Sequence, residues 1–179
     1  MKKSILLLTV LWLIACNNEK KAEPAGTTPA TSAATDSKAE KNKQAALAGA
    51  MGVNAHDVDA MLRDIAADAV DYGDGSMPPV KGVDSIKAGI KSWLAAFPDV
   101  KGENFMALTD DGTHVAVIAD WSATFKNDFM GMKATNKSFK YKDVDIFKLN
   151  DDGKVVEHHN VQSPNTMMMM VGAQMPKKK

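Results

Sequence analysis

From Val100 onward, apolar and polar residues alternate with period two, the mark of strands with one buried face. Val115, Val117, Ala119, Trp121, Ala123 and Phe125 interleave with His114, Ala116, Ile118, Asp120, Ser122 and Thr124. Phe139, Tyr141, Asp143, Asp145 and Phe147 interleave with Lys140, Lys142, Val144, Ile146 and Lys148. Asp110-Asp111-Gly112 and Asp151-Asp152-Gly153 punctuate the runs, and Asp-Gly supplies the positive φ that a tight hairpin turn requires. The pattern predicts a strand over 100–108, these two strands, and a last one over 155–163, with a loop over 127–136 and a short helix over 166–171. Upstream the spacing is helical. Ala45, Ala46, Leu47, Ala50, Met51 and Val53 form one small-residue face. Val58, Met61, Leu62 and Ile65 form a second, with Asn54 as its cap and Asp57 in its first turn. Ile86, Ile90, Trp93, Leu94 and Phe97 form a third, stopped by Pro98. A short strand fits Ala69 to Tyr72, before a Gly- and Pro-rich loop. Three N-terminal helices followed by an antiparallel meander make an α+β domain.

The N-terminus follows another pattern. Lys2 and Lys3 precede an apolar run, Ile5 to Ile14, broken only by Thr9. At about 1.5 Å per residue this run is about half as long as a bilayer core is thick. It reads as a signal peptide over residues 1–15 and not as a spanning helix. Leu13-Ile14-Ala15-Cys16 resembles the bacterial lipobox, which implies lipidation of Cys16 and cleavage just before it. Asn17, rather than Asp, after the Cys implies the outer membrane, with the domain facing the periplasm. Residues 16–41 hold almost no large apolar side chain. Such a stretch does not offset its ordering entropy and reads as a disordered tether. The domain is expected over 42–175 and a solvated basic tail over 176–179.

Charge and cysteine content narrow the functions further. Lys+Arg and Asp+Glu are both 22. Removing residues 1–15 takes away two lysines and leaves the chain near −2. With no basic face, a nucleic-acid partner is not expected. Cys16 is the single cysteine, so no intrachain disulfide forms.

Several local motifs share an order. Asn54-Ala55-His56-Asp57 resembles the helix junction that opens SnoaL-like domains of the nuclear transport factor two-like superfamily. Gly82 and Ile86, then Phe97-Pro98-Asp99, resemble a second stretch of that group. Asp143-Val144-Asp145-Ile146-Phe147, followed by Asp152-Gly153-Lys154-Val155-Val156-Glu157-His158, is similar to a third. The resemblance runs from about Asn42 to Met170. It implies a curved sheet wrapped over helices as a cone around an apolar pocket, and often a pairing of two copies through the outer sheet face. The group's enzymes include cyclases, isomerases and hydrolases that use a pocket carboxylate as acid or base. Other members only bind ligands. The group's last strand commonly carries an Asp where this chain has Asn160, and Ser163 and His159 also depart from the pattern. Asn does not exchange protons near neutrality, so activity through that position is in doubt.

His158 and His159 are adjacent on a strand and point to opposite faces, which argues against a metal site. If His158, Asn160 and Gln162 face the pocket, His158 is the general acid or base, and Asn160 and Gln162 position a ligand. Otherwise that face meets solvent or a partner. Asp143 and Asp145 are either pocket carboxylates or structural groups, paired with Lys or Arg63 or capping backbone at the sheet edge. Asp145 is the second catalytic candidate. Tyr72, Trp93 and Trp121 are candidate pocket wall. Met167 to Met170 is an adaptable apolar run, suited to packing, a lid or a dimer interface. No phosphate-binding Gly loop, Ser nucleophile motif or zinc spacing occurs, and no cofactor is expected. The expected partners are a small, mostly apolar ligand, the membrane and a second copy of the chain. Three readings remain open: ligand binding, acid–base catalysis through His158 or Asp145, and an envelope interaction module.

Replacing Cys16 by Ser tests the anchor. The variant should fold but take up no labelled fatty acid and keep residues 1–15; incorporation of label would contradict the reading.

Overall fold

The computed structural model describes residues 30–109 and 111–173. The expected signal peptide, Cys16, the first part of the tether, Asp110 and the basic tail lie outside the described residues. The elements run α1 (Ala30–Met51), a 3-10 turn (Gly52–Ala55), α2 (Val58–Met61), β1 (Ile65–Gly73), β2 (Val80–Lys81) and α3 (Val83–Ala96). Then follow β3 (Lys101–Leu108), β4 (His114–Thr124), β5 (Ser138–Leu149), β6 (Val155–Asn160) and α4 (Pro164–Met170).

The six strands form one curved sheet in the order β2-β1-β6-β5-β4-β3. β3 to β6 make the expected antiparallel meander. β1, however, runs parallel to β6, so the sheet is mixed. The reason is topological: β1 reaches β6 only through a long connection, and such a connection permits parallel pairing. β4 buries Val115, Val117, Ala119, Trp121 and Ala123 on one face, as its alternation predicts.

The helices differ more from expectation. α1 begins at Ala30, inside the segment read as tether. Composition misleads here because the helix is held by the ends of the sheet, not by a greasy face of its own. Lys38 pairs with Asp151 at 2.7 Å. Asn42 is only 1% exposed and donates from Nδ2 to the Gly112 carbonyl at 2.6 Å. A side chain on Gly112, at φ +72°, would collide with the Ala39 backbone, so glycine there allows α1 to cross the turn. Farther along, Ala46 and Ala50 pack against Val115, Val117, Leu149 and Val155. The second helix is a single turn. Its cap is Asp57, whose carboxylate accepts from the Ala60 N–H at 3.0 Å. Asn54 instead pairs both ways with the Gly102 backbone, at 2.8 and 3.0 Å. Ile65, expected on that helix, opens β1. α3 follows the prediction, burying Ile86 and Leu94 and ending at Phe97 before Pro98. Phe97, Phe125, Phe129 and Phe139 form an aromatic cluster, with centroids 5.3 to 6.1 Å from Phe97. This cluster and the core under α1 leave a cavity between them.

The buried Asn42 gives a test. Asn42→Ala leaves the Gly112 carbonyl without its donor, and an unsatisfied buried group costs roughly 1–3 kcal/mol. Urea unfolding should show a loss of that size; a midpoint equal to wild type would mean α1 is not held by this contact.

Candidate active site

The cavity measures about 390 Å³ and has mostly apolar walls. Small residues of α1 make room for it: Ala45, Ala46, Gly49 and Ala50 all line it. Trp93 of α3 and Trp121 of β4 form aromatic wall, as the sequence suggests. Met77, Val80 and Met130 line it and are also exposed, 40–55%. They mark its rim.

Its polar groups come from three neighbouring strands. Strand register places Asp71 of β1 beside His158 of β6, and His158 beside Phe147 of β5. The next row pairs Asn160 with Asp145. These side chains share the cavity wall with Asp143. The face carrying His158 and Asn160 therefore lines the pocket. Gln162 lines it too, just beyond the end of β6.

His158 lies between two carboxylates. Its Nδ1 is 2.9 Å from Asp71 Oδ1 and its Nε2 is 3.3 Å from Asp145 Oδ1. Phe147 stacks on the ring, centroids 5.0 Å apart. Burial pulls the imidazole pKa down, but the hydrogen bonds and charges of Asp145 and Asp71 outweigh it and push the pKa up to about 9. At neutral pH the ring is an imidazolium and donates from both nitrogens. Asp71 is held below the usual carboxylate range: burial opposes ionisation, yet the His158 hydrogen bond and charge prevail.

The other two carboxylates are more deeply buried. Asp145 is 8% exposed and Asp143 4%. Asp145 Oδ1 accepts from Asn160 Nδ2 at 2.5 Å as well as from His158. Asp143 Oδ1 accepts the backbone N–H of Gln162 at 2.9 Å and of Val144 at 2.7 Å. In both, Oδ1 carries the hydrogen bonds and Oδ2 has no protein partner among the described residues. Burial, reinforced by the Asp145 charge, raises the Asp143 pKa against the pull of the Gln162 N–H. The Tyr141 phenol rises too, through burial and the charges of Asp143 and Asp145.

The arrangement corrects several expectations. Among the described residues neither Asp143 nor Asp145 pairs with Lys or Arg63; both line the cavity, and Asp143 also caps backbone N–H groups, the other structural role expected of it. Asn160 orients Asp145, and Gln162 holds Asp143 through its backbone. Tyr72 is not pocket wall. It is exposed and stacks on His159, centroids 4.7 Å apart, on the opposite face. β1 alternates, so with Asp71 turned to His158 its neighbour Tyr72 faces out. Asp71 itself escaped the sequence reading. Its one signal is that it shares a face with the buried Ala69, two residues away.

The solved structures similar to this one share its fold. AclR from Streptomyces galilaeus is 26% identical, with a TM-score of 0.62 over 77% of this chain and 86% of its own. A phenazine biosynthesis-related protein from Pseudomonas aeruginosa is 19% identical, with a TM-score of 0.66 over 82% and 95%. A nuclear transport factor two-like protein of unknown function from Burkholderia pseudomallei is 16% identical, with a TM-score of 0.58 over 73% and 97%. No curated protein matches the chain in sequence. The family of SnoaL-like polyketide cyclases matches residues 43–169, most of the described domain. With its curved sheet, its helices and its motifs in order, the chain belongs to the SnoaL-like polyketide cyclase family.

Proposed function

We propose that the cavity binds a small, mostly apolar ligand and that Asp145 and His158 perform acid–base chemistry on it, as in an isomerase, cyclase or hydrolase. One observation carries this reading: His158 is clamped between Asp71 and Asp145 on the wall of an apolar cavity. Asp145 is the base. Its Oδ1 is held by Asn160 and His158, and Oδ2 takes a proton from a carbon or hydroxyl of the ligand. As the ligand becomes anionic, the nearby imidazolium stabilises the new charge without reorganising. Asp71 keeps His158 oriented and charged. Asn160 therefore replaces the family's usual acid without removing proton transfer, because the acid stands one strand away. The cavity argues against a pure interaction module, whose cone would be packed solid.

Two further proposals concern the setting. The lipobox and its signal peptide favour a lipid-anchored protein of the outer membrane facing the periplasm. The outer sheet face favours a two-fold homodimer. Strand register lines up Met106, Ile118 and Val144 across that face, and beside them Leu108, Ala116, Ile146 and His159. Met106 and Leu108 are each about half exposed.

Two outcomes test the chemistry. In D₂O, with a panel of apolar ketones and β-diketones, the protein should exchange the α-proton of at least one compound faster than buffer does. Asp145→Asn should slow that exchange by roughly 10²- to 10⁴-fold. If ligands bind and none exchanges, the acid–base reading fails and ligand binding stands.

The second outcome is pH dependence. His158 has a raised folded-state pKa, so its stabilisation is complete below the unfolded value near 6.5 and is lost as pH rises through about 9. His158→Gln should thus be much less stable than wild type at pH 6. The gap should narrow by roughly 3 kcal/mol toward pH 10, the equivalent of this shift. A gap that stays constant across the range would mean the ring is not charged in the native state.

A further inference from the structure

The charges on the cavity wall are one-sided. The carboxylates lining it are Asp64, Asp71, Asp143, Asp145 and Glu157, while His158 is the single basic side chain among the described lining residues. Two of these carboxylates are neutralised from outside the cavity. Asp64 pairs with Lys154 at 3.0 Å and Glu157 with Lys148 at 2.6 Å. That leaves Asp71, Asp143 and Asp145 facing one imidazolium. The interior therefore carries a surplus of negative charge, and Asp143 and Asp145 are both more than nine-tenths buried. Each presents an Oδ2 that no described protein group satisfies.

We propose that the cavity takes an organic cation: an apolar ligand carrying a protonated amine or quaternary ammonium group, seated against Asp143 and Asp145. The proposal rests on the reading of the cavity as a ligand site and names its substrate class.

Three features agree on this occupant. A carboxylate or phosphate would meet buried carboxylates and find no lysine or arginine among the described lining residues; that is costly in a site shielded from water. A cation supplies the missing counter-charge. Second, the surrounding walls are aromatic. Trp121 and Tyr141 are direct cross-strand neighbours beside Asp143 on the inner face, and Trp93, Phe129 and Phe147 complete the lining. Aromatic faces attract ammonium groups, quaternary ones included. Third, the acids face open space: Asp143 and Asp145 both line the cavity. The Asp145 charge disfavours the Asp143 anion, and a cation bound between them offsets that repulsion.

The test uses three probes on one skeleton: 2-naphthylmethyl-trimethylammonium, 2-naphthylmethanol and 2-naphthylacetate. Each is titrated into the folded domain by calorimetry at neutral pH and moderate ionic strength. The ammonium probe should bind at least about tenfold tighter than the alcohol, a difference of the size that cation–π and charge pairing give, and the acetate should not saturate. Asp143→Asn keeps an acceptor for the two backbone N–H groups. It should weaken the ammonium probe at least about fivefold and change the alcohol less than about twofold. Alcohol binding in the variant also shows that the cavity is intact. If the alcohol binds as tightly as the ammonium probe, or the acetate binds as tightly as either, the cation proposal fails and the ligand-site reading survives. If none of the three binds, both fall together.

Discussion

The site depends on placing charge where water is scarce. A carboxylate as buried as Asp145, 8% exposed, is not sustained as an anion without compensation. His158 provides it, and Asp71 in turn holds His158 in its charged form. Removing His158 would leave Asp71 and Asp145 against apolar walls with no cation between them. The three residues also come from three different strands, so their pairing requires that β1, β6 and β5 keep their register. A slip of one residue would turn His158 out of the cavity and bring His159 in. Chemistry and sheet assembly are thus one constraint.

The cavity exists because the elements around it are built from small or unevenly shaped residues. α1 contributes alanine and glycine where a core helix would carry leucine, and so fills little of the space it covers. It is fastened by the buried Asn42 contact at the end of the sheet and by packing of Ala46 and Ala50 on the sheet. Aromatic packing around Phe97 closes the opposite side of the core. Between them the concave face of the sheet stays partly uncovered, and its polar residues line a pocket instead of being packed away.

Much of this was legible in the sequence because local periodicity sets local structure. β4 alternates strictly and is found as read, and α3 shows its apolar face and its Pro98 stop. The acidic alternation of Asp143 and Asp145 with aromatic residues marked them as candidates, and His158 and Asn160 were read onto one face of the last strand. What escaped is non-local. Asp71 matters only because β1 lies parallel to β6, and no pattern within β1 announces that neighbour. The same gap misplaced Tyr72, since the buried face of β1 is set by its register with β6. α1 is longer than its apolar pattern predicts because its first turns carry no apolar stripe. The helix proposed over Val58–Ile65 was too long because Ile65 has the spacing of a helix but the pairing of a strand, joining Val155 in the sheet.

The central claim is that His158 is an imidazolium held between two carboxylates, and it is observable directly. Selective ¹⁵N labelling of histidine, with an NMR titration of the ring nitrogens, reports their protonation residue by residue, and His158→Gln assigns the signal. The account predicts that both ring nitrogens of His158 carry protons at pH 7 and that the ring titrates near 9. A neutral tautomer at pH 7, with a midpoint at or below the ordinary value near 6.5, would contradict it.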